Sequence, residues 1–282
     1  MVGDADPTPI VSTYSDFWCS LTHILQLLRS GTATRDPPIS TEALILSALI
    51  ILLAYFFRGI SGFGSGLVAI PLLAHYLPLQ FVVPLILVTD FSASVILGGG
   101  TRQHARWDEV RFLLPASAVG IILGVGLLIN LPRQPLLTGL GVVVLLFGLR
   151  SALNLHGEKH ISRWWAVPAG LAGGMVGALF GTGGPPYVIY VSHRLRDKSE
   201  LRATFSALFL IDGGLRIVTF IIAGLLLQDG IFVALLGALP LMALGLYLGH
   251  RVHIGLSSAQ MQRIIGCLLL ISGTSLLWKA WS

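Results

Sequence analysis

Two glycine-rich breaks interrupt apolar segments at matching places in the two halves of the chain. They are Gly62-Phe63-Gly64-Ser65-Gly66 and Phe180-Gly181-Thr182-Gly183-Gly184-Pro185-Pro186. Glycine lets the backbone turn sharply and approach a ligand closely. A helix that starts at such a break directs unpaired N–H groups and a positive dipole end toward it. Two such ends converging inside a membrane would bind an anion, and the hydroxyls of Ser65 and Thr182 would add donors at equivalent places.

The alternative for these glycines is that they only permit close helix packing, as small residues often do in membranes. Single glycines such as Gly124 and Gly141 fit that alternative. The two clusters favour a binding site, because backbone groups freed in lipid survive only where they line a cavity enclosed by protein.

Four charged residues lie in or beside these apolar segments. Asp90 and Asp212 are mid-segment, where a charge is costly and points to function. Arg216 follows Asp212 by four residues, so the pair either neutralises itself on one helix face or takes part in coupling. Asp90 has no basic residue at that spacing and is the better candidate for carrying a proton. Arg58, just before the first break, either holds an anion or extends to the membrane surface.

The predicted site therefore has two sets of residues. The coupling residues are Asp90 and Asp212. The substrate-binding residues are Gly62, Phe63, Gly64, Ser65, Gly66, Gly181, Thr182, Gly183, Gly184, Pro185, Arg58 and Arg216.

The composition identifies the elements that must position these residues. The chain is 54% hydrophobic and only 11% charged, with a mean hydropathy of +0.83, which predicts an all-α polytopic membrane protein. Segments 64–76 and 184–193 are shorter than the roughly 20 residues of a span. Each follows a break and is expected to be the return arm of a re-entrant helical hairpin. The ten predicted segments are 42–58, 64–76, 80–100, 110–130, 135–153, 163–180, 184–193, 202–227, 231–250 and 260–280.

The two halves of the chain repeat. Leu123-Gly124 matches Leu248-Gly249, and Leu114-Pro115 matches Leu239-Pro240, at one offset. The basic residues gather in loops that the positive-inside rule places in the cytoplasm, so the five-segment halves start on opposite sides. This predicts an inverted repeat with halves at 41–155 and 160–282 in one membrane domain. Residues 1–40 precede it as an extramembrane or interfacial segment, within which 10–28 forms an interfacial helix or a further span.

The other residue types point away from catalysis. Cys19 and Cys267 are far apart, and the histidines fall at segment ends or in loops, so we expect no metal and no cofactor. An intramembrane serine protease would need Gly-x-Ser-Gly, but Phe63 occupies the first glycine position. The chain is predicted not to be an enzyme. Its expected partners are a small anion and the lipid bilayer, not nucleic acid, with a homo-oligomer left open.

Both breaks resemble those of the TauE/SafE family of sulfite exporters. The residues that carry the resemblance are the first break with Pro71, the second break with Pro186 and Tyr187, and Leu201-Arg202-Ala203-Thr204, within residues 42–280. The resemblance implies a transporter in a bacterial plasma (inner) membrane that exports sulfite, sulfoacetate or related organosulfur anions. The alternatives are an anion channel and a transporter of another small organic anion.

Overall fold

A computed structural model describes residues 41–61, 64–97, 105–152, 161–181, 184–195, 197–251 and 258–281. Within them all regular structure is helical, which confirms the all-α prediction, and each predicted apolar segment corresponds to one α-helix. The proposed helix over 10–28 lies outside the described residues. The helices are α1 (Thr41–Ser61), α2 (Ser65–Leu73), α3 (Leu79–Leu97), α4 (Trp107–Asn130), α5 (Arg133–Ala152), α6 (Ala166–Phe180), α7 (Gly184–Arg194), α8 (Lys198–Ile222), α9 (Ile231–Arg251) and α10 (Ser258–Trp281).

The long helices have the length and composition of membrane spans. Among the described residues, α1, α3, α4, α5, α8 and α9 each contain a stretch apolar enough to cross a bilayer, and apolar side chains cover their outer faces. Trp164, Trp165, Trp278 and Trp281 are exposed at helix ends, where an aromatic belt would lie. The chain is therefore a multi-pass membrane protein. Helices α2 and α7, with 9 and 11 residues, are too short to span.

Glycines set the closest helix crossings. A Cβ added to Gly120 would lie 2.2 Å from the Leu171 carbonyl oxygen, and one added to Gly124 would lie 2.6 Å from that of Met175. These contacts join α4 to α6. Gly141 likewise brings α5 against α10, where an added Cβ would lie 2.8 Å from a Leu277 methyl carbon. The packing interpretation of such single glycines is confirmed.

The same kind of crossing occurs between α1 and α9. A Cβ added to Gly249 would lie 2.2 Å from the Phe56 carbonyl oxygen, and one added to Gly245 would lie 2.7 Å from that of Leu52. Taking α1–α5 and α6–α10 as the two halves, the first helix of each half packs on the fourth helix of the other. The fifth helices, α5 and α10, pack on one another.

We expect Gly120→Val to lower the thermal stability of the purified protein. The added side chain would collide with backbone of α6, and overpacking of this kind costs about 1–3 kcal/mol. Gly126→Val is the matched control, because it lies on the same helix and an added Cβ there has open space. Midpoints of thermal unfolding in detergent compare the two variants. Equal shifts would show that the α4–α6 contact is not as tight as described.

Candidate functional site

The described edges of the two glycine breaks lie against each other. Helix α2 begins at Ser65, directly after Gly64, whose φ of 95° is left-handed backbone that favours glycine. A Cβ added to Gly66, in the first turn of α2, would lie 3.0 Å from the Gly181 carbonyl oxygen and 3.2 Å from Oδ2 of Asp90. The start of α2, the end of α6 and the Asp90 carboxylate therefore converge.

Glycine is also favoured on the second side of this contact. Gly181 ends α6 with a φ of 63°, and a Cβ there would lie 2.2 Å from the Ile70 Cδ1 atom of α2. The positive φ disfavours any residue with a side chain, and an added Cβ would also force the Ile70 side chain to move. Gly62, Phe63, Thr182 and Gly183 lie outside the described residues, so their predicted roles stay predictions.

The two short helices α2 and α7 differ in the backbone donors they can offer. The first turn of α2 runs Ser65-Gly66-Leu67, and each residue has a backbone N–H with no acceptor inside the helix. Helix α7 begins at Gly184 and continues with Pro185 and Pro186, which have no N–H. The dipole ends are alike, but α2 is the richer source of backbone donors.

A partly buried ion pair lies directly beside the first break. Arg58 Nη1 donates to Oδ1 of Asp90 at 2.7 Å and to Oγ of Ser65 at 2.9 Å. The same carboxylate oxygen accepts from Ser65 at 2.5 Å and from the Tyr55 hydroxyl at 2.7 Å. Arg58 Nη2 donates to Oγ of Ser94 at 2.7 Å. The guanidinium thus joins α1, the start of α2 and α3.

This geometry corrects two expectations. The expectation that the charge of Asp90 is less compensated than that of Asp212 is wrong, because Arg58 pairs with it across 32 residues of sequence. Arg58 is 8% exposed, so it does not extend to the membrane surface. The other alternative for Arg58, that it holds an anion, stays a prediction.

A second buried ion pair lies on α8. Arg216 Nη2 is 2.9 Å from Oδ2 of Asp212, four residues earlier on the same helix. Oδ1 of Asp212 accepts from Ser117 at 2.6 Å and from the Tyr187 hydroxyl at 2.7 Å. Arg216 Nη1 donates to the Gly177 carbonyl oxygen at 3.0 Å, one helical turn before the second break. The pairing expected from the sequence spacing is therefore present.

Both aspartates have the same kinds of partner: an arginine, a serine hydroxyl and a tyrosine hydroxyl. Sequence reasoning missed Tyr55 and Ser117 and assigned Tyr187 no role at the site. Their signal was a polar group within an apolar segment, which is expensive unless it finds a partner. Among the described residues, Nε of Arg58 and Nε of Arg216 are buried without a hydrogen-bond acceptor. Each guanidinium therefore keeps a spare donor.

A third polar cluster fixes the far end of α7. The carboxylate of Glu109, at the start of α4, is 1% exposed. It accepts from Arg194 Nη2 at 2.7 Å and from the Tyr190 hydroxyl at 2.6 Å, and lies 3.4 Å from Arg163 Nε. These contacts tie α7 to α4. In the part of the chain that the structure describes, no three His, Cys, Asp or Glu side chains group as metal ligands.

Spanning helices, two interrupted segments that meet, and buried ion pairs beside them define a multi-pass membrane transporter. The sequence profile of the family described as Sulfite exporter TauE/SafE matches residues 47–276. The chain belongs to the TauE/SafE sulfite exporter family of membrane transporters.

Named relatives agree with this assignment. The chain is 30% identical over 200 residues to the "Probable inner membrane transporter protein TsaS" of Comamonas testosteroni, covering 70% of this chain and 83% of that protein. It is 24% identical over 235 residues to the "Probable sulfite/organosulfonate exporter TauE" of Cupriavidus necator, covering 80% and 91%. A "Probable membrane transporter protein" of Haemophilus influenzae is 27% identical over 162 residues, covering 52% and 61%. No solved structure matches the chain.

Proposed function

We propose that this chain exports sulfite, sulfoacetate or related small organosulfur anions across the plasma (inner) membrane of a bacterium. Transport occurs by alternating access around a site near the bilayer midplane, formed where the two glycine breaks meet. The observation that carries this proposal is the contact of Gly66 with Gly181 beside the Arg58–Asp90 pair. The printed description of the Cupriavidus necator relative supports the substrate class.

The chemistry at this contact suits a small oxyanion. The backbone N–H groups and positive dipole end of α2 favour negative charge. The Ser65 hydroxyl adds a donor, and a guanidinium supplies full charge with a planar set of donors that matches oxyanion geometry. Arg58 and Arg216 are the two candidates for that guanidinium. The glycines of both breaks leave room for the anion to approach the backbone.

The packing of the helices supports alternating access. If the halves 41–155 and 160–282 are related by inverted topology, the crossing of α1 with α9 must be repeated by that of α6 with α4. Glycines mediate both crossings. The α5–α10 contact then lies on the pseudo-two-fold axis. Rocking of one half against the other would expose the site to each side in turn.

Proton coupling through the aspartates completes the proposal. Protonation of Asp90 would remove its charge and free Arg58 for the anion, while Tyr55 and Ser65 can hydrogen-bond either form of the carboxyl. Asp212 is the second candidate, with Arg216 and Tyr187 facing it. The Asp90 side chain is 24% exposed and that of Asp212 is 0% exposed. Protons therefore reach Asp90 more readily than Asp212.

We expect Asp90→Asn to change the pH dependence of flux more than Asp212→Asn does. The asparagine mimics a permanently protonated carboxyl, so the Asp90 variant should lose the pH dependence that the parent shows between about pH 5 and 8, because the amide cannot load or release a proton. The Asp212 variant should keep the parent profile. Flux is measured in proteoliposomes at each pH. Identical profiles for both variants and the parent would rule out coupling through Asp90.

The substrate class is tested by uptake into proteoliposomes of purified protein. The panel contains sulfite, sulfoacetate, a longer organosulfonate and, as competitors of another class, acetate and succinate. We expect saturable uptake of the sulfur anions and weak uptake of the carboxylates. Preference for the carboxylates would favour a transporter of another organic anion. Ohmic single-channel currents in planar bilayers would favour an anion channel.

A further inference from the structure

We infer that Arg58 is the arginine that leaves its carboxylate and binds the anion during transport, whereas Arg216 stays on Asp212 throughout. This inference rests on the proposed function and assigns unequal roles to the two guanidiniums. It follows from where each half of the chain places its arginine.

The two halves hold the arginine at exchanged positions. Arg58 comes four residues before the first glycine of its break, and the position four residues before Gly181 is Gly177. Four residues after Asp90 is Ser94, and four residues after Asp212 is Arg216.

The contacts of the two guanidiniums follow the same exchange. Arg58 reaches the Ser94 hydroxyl at 2.7 Å, and Arg216 reaches the Gly177 carbonyl oxygen at 3.0 Å. Each guanidinium therefore extends to the place that holds the arginine in the other half. Both halves contain the same ion pair, but the first builds it from two helices and the second from one.

This exchange has a mechanical consequence. Asp212 and Arg216 are four residues apart on α8, so their backbones move together in any rigid-body motion and the pair survives it. Arg58 is on α1 and Asp90 is on α3, so any motion that separates these helices stretches the 2.7 Å contact. The pair that spans two helices is the one that a transport cycle can open and close.

The surroundings of the two pairs agree with this assignment. Arg58 donates to Ser65, the first residue of α2, so its guanidinium is already at the first break when paired. Arg216 instead donates to a backbone carbonyl within α6, and its partner carboxylate is fully buried. If Arg216 left Asp212, two opposite charges would be separated inside the protein. Leaving a buried charge without its partner is strongly unfavourable.

The test moves the first arginine to the position it has in the second half. Arg58→Ala together with Ser94→Arg keeps the net charge and places the guanidinium four residues after Asp90. We expect a folded protein whose sulfite uptake falls at least about tenfold, because the arginine can no longer separate from Asp90. Parent-like uptake by the folded double variant would overturn the inference and leave the proposed function intact. A parent protein that takes up none of the sulfur anions would overturn both.

A second comparison does not depend on the double variant folding. Arg58→Lys and Arg216→Lys each keep a positive charge but lose the planar donor set that binds an oxyanion at two points. We expect Arg58→Lys to raise the KM for sulfite about tenfold, the effect of one lost charge-assisted hydrogen bond, with the maximal rate less affected. Arg216→Lys should leave the KM near that of the parent. Equal effects on KM would contradict the unequal roles.

Discussion

Gly66→Leu is expected to abolish anion transport in a protein that still inserts into the membrane and purifies as a single species. A Cβ at this position meets a backbone carbonyl of Gly181 at 3.0 Å and the Asp90 carboxylate at 3.2 Å. Neither neighbour is the flexible end of a long side chain. The leucine must therefore push the two breaks apart or fill the space between them, and either change removes the proposed anion site. The measurement is uptake at matched protein density in proteoliposomes.

Gly126→Leu is the control for this prediction, because Gly126 lies on α4, belongs to neither break, and an added Cβ there has open space. This variant should keep transport near that of the parent. If Gly66→Leu transports as well as Gly126→Leu does, the contact between the breaks is not the transport site.

Asp212→Ala is expected to cause the largest loss of stability among changes at the two ion pairs. It leaves the Arg216 guanidinium, 7% exposed, without its carboxylate, and breaking a buried pair in this way costs about 3–5 kcal/mol. The Ser117 and Tyr187 hydroxyls lose their shared acceptor as well. Thermal unfolding and the yield of monodisperse protein measure the effect.

A double variant distinguishes an effect on stability from a direct role of Asp212 in transport. Asp212→Ala together with Arg216→Met removes both charges and should recover most of the stability, because an apolar pair no longer needs compensation. Transport should recover with it if Arg216 stays on Asp212 throughout the cycle. A double variant that is stable but inactive would instead place one of these residues directly in transport.

Local features of the fold could be predicted from the sequence. The apolar segments correspond to α1–α10 because lipid demands long runs of apolar side chains, and the glycine breaks end α6 and precede α2 and α7. The Asp212–Arg216 pair could be predicted because both partners are on one helix at a spacing that places them on one face.

Contacts between distant parts of the chain could not be predicted in this way. Arg58 and Asp90 meet only because α1 and α3 pack together, and Glu109 finds Arg194 across 85 residues of sequence. The prediction that Asp90 is the less compensated carboxylate failed for this reason, because a spacing of four residues reveals only partners on the same helix. The exchange of arginine positions between halves requires both pairs to be seen in three dimensions.

The most direct test of the central claim is a structure of the protein with selenite, which shares the pyramidal shape and charge of sulfite and scatters X-rays anomalously. The account predicts an anomalous peak between the start of α2 and the end of α6, within hydrogen-bonding distance of the Arg58 guanidinium and the Ser65 hydroxyl. Selenite should also compete with sulfite for uptake. Competition without a peak there, or with a peak at a site distant from both breaks, would contradict the account.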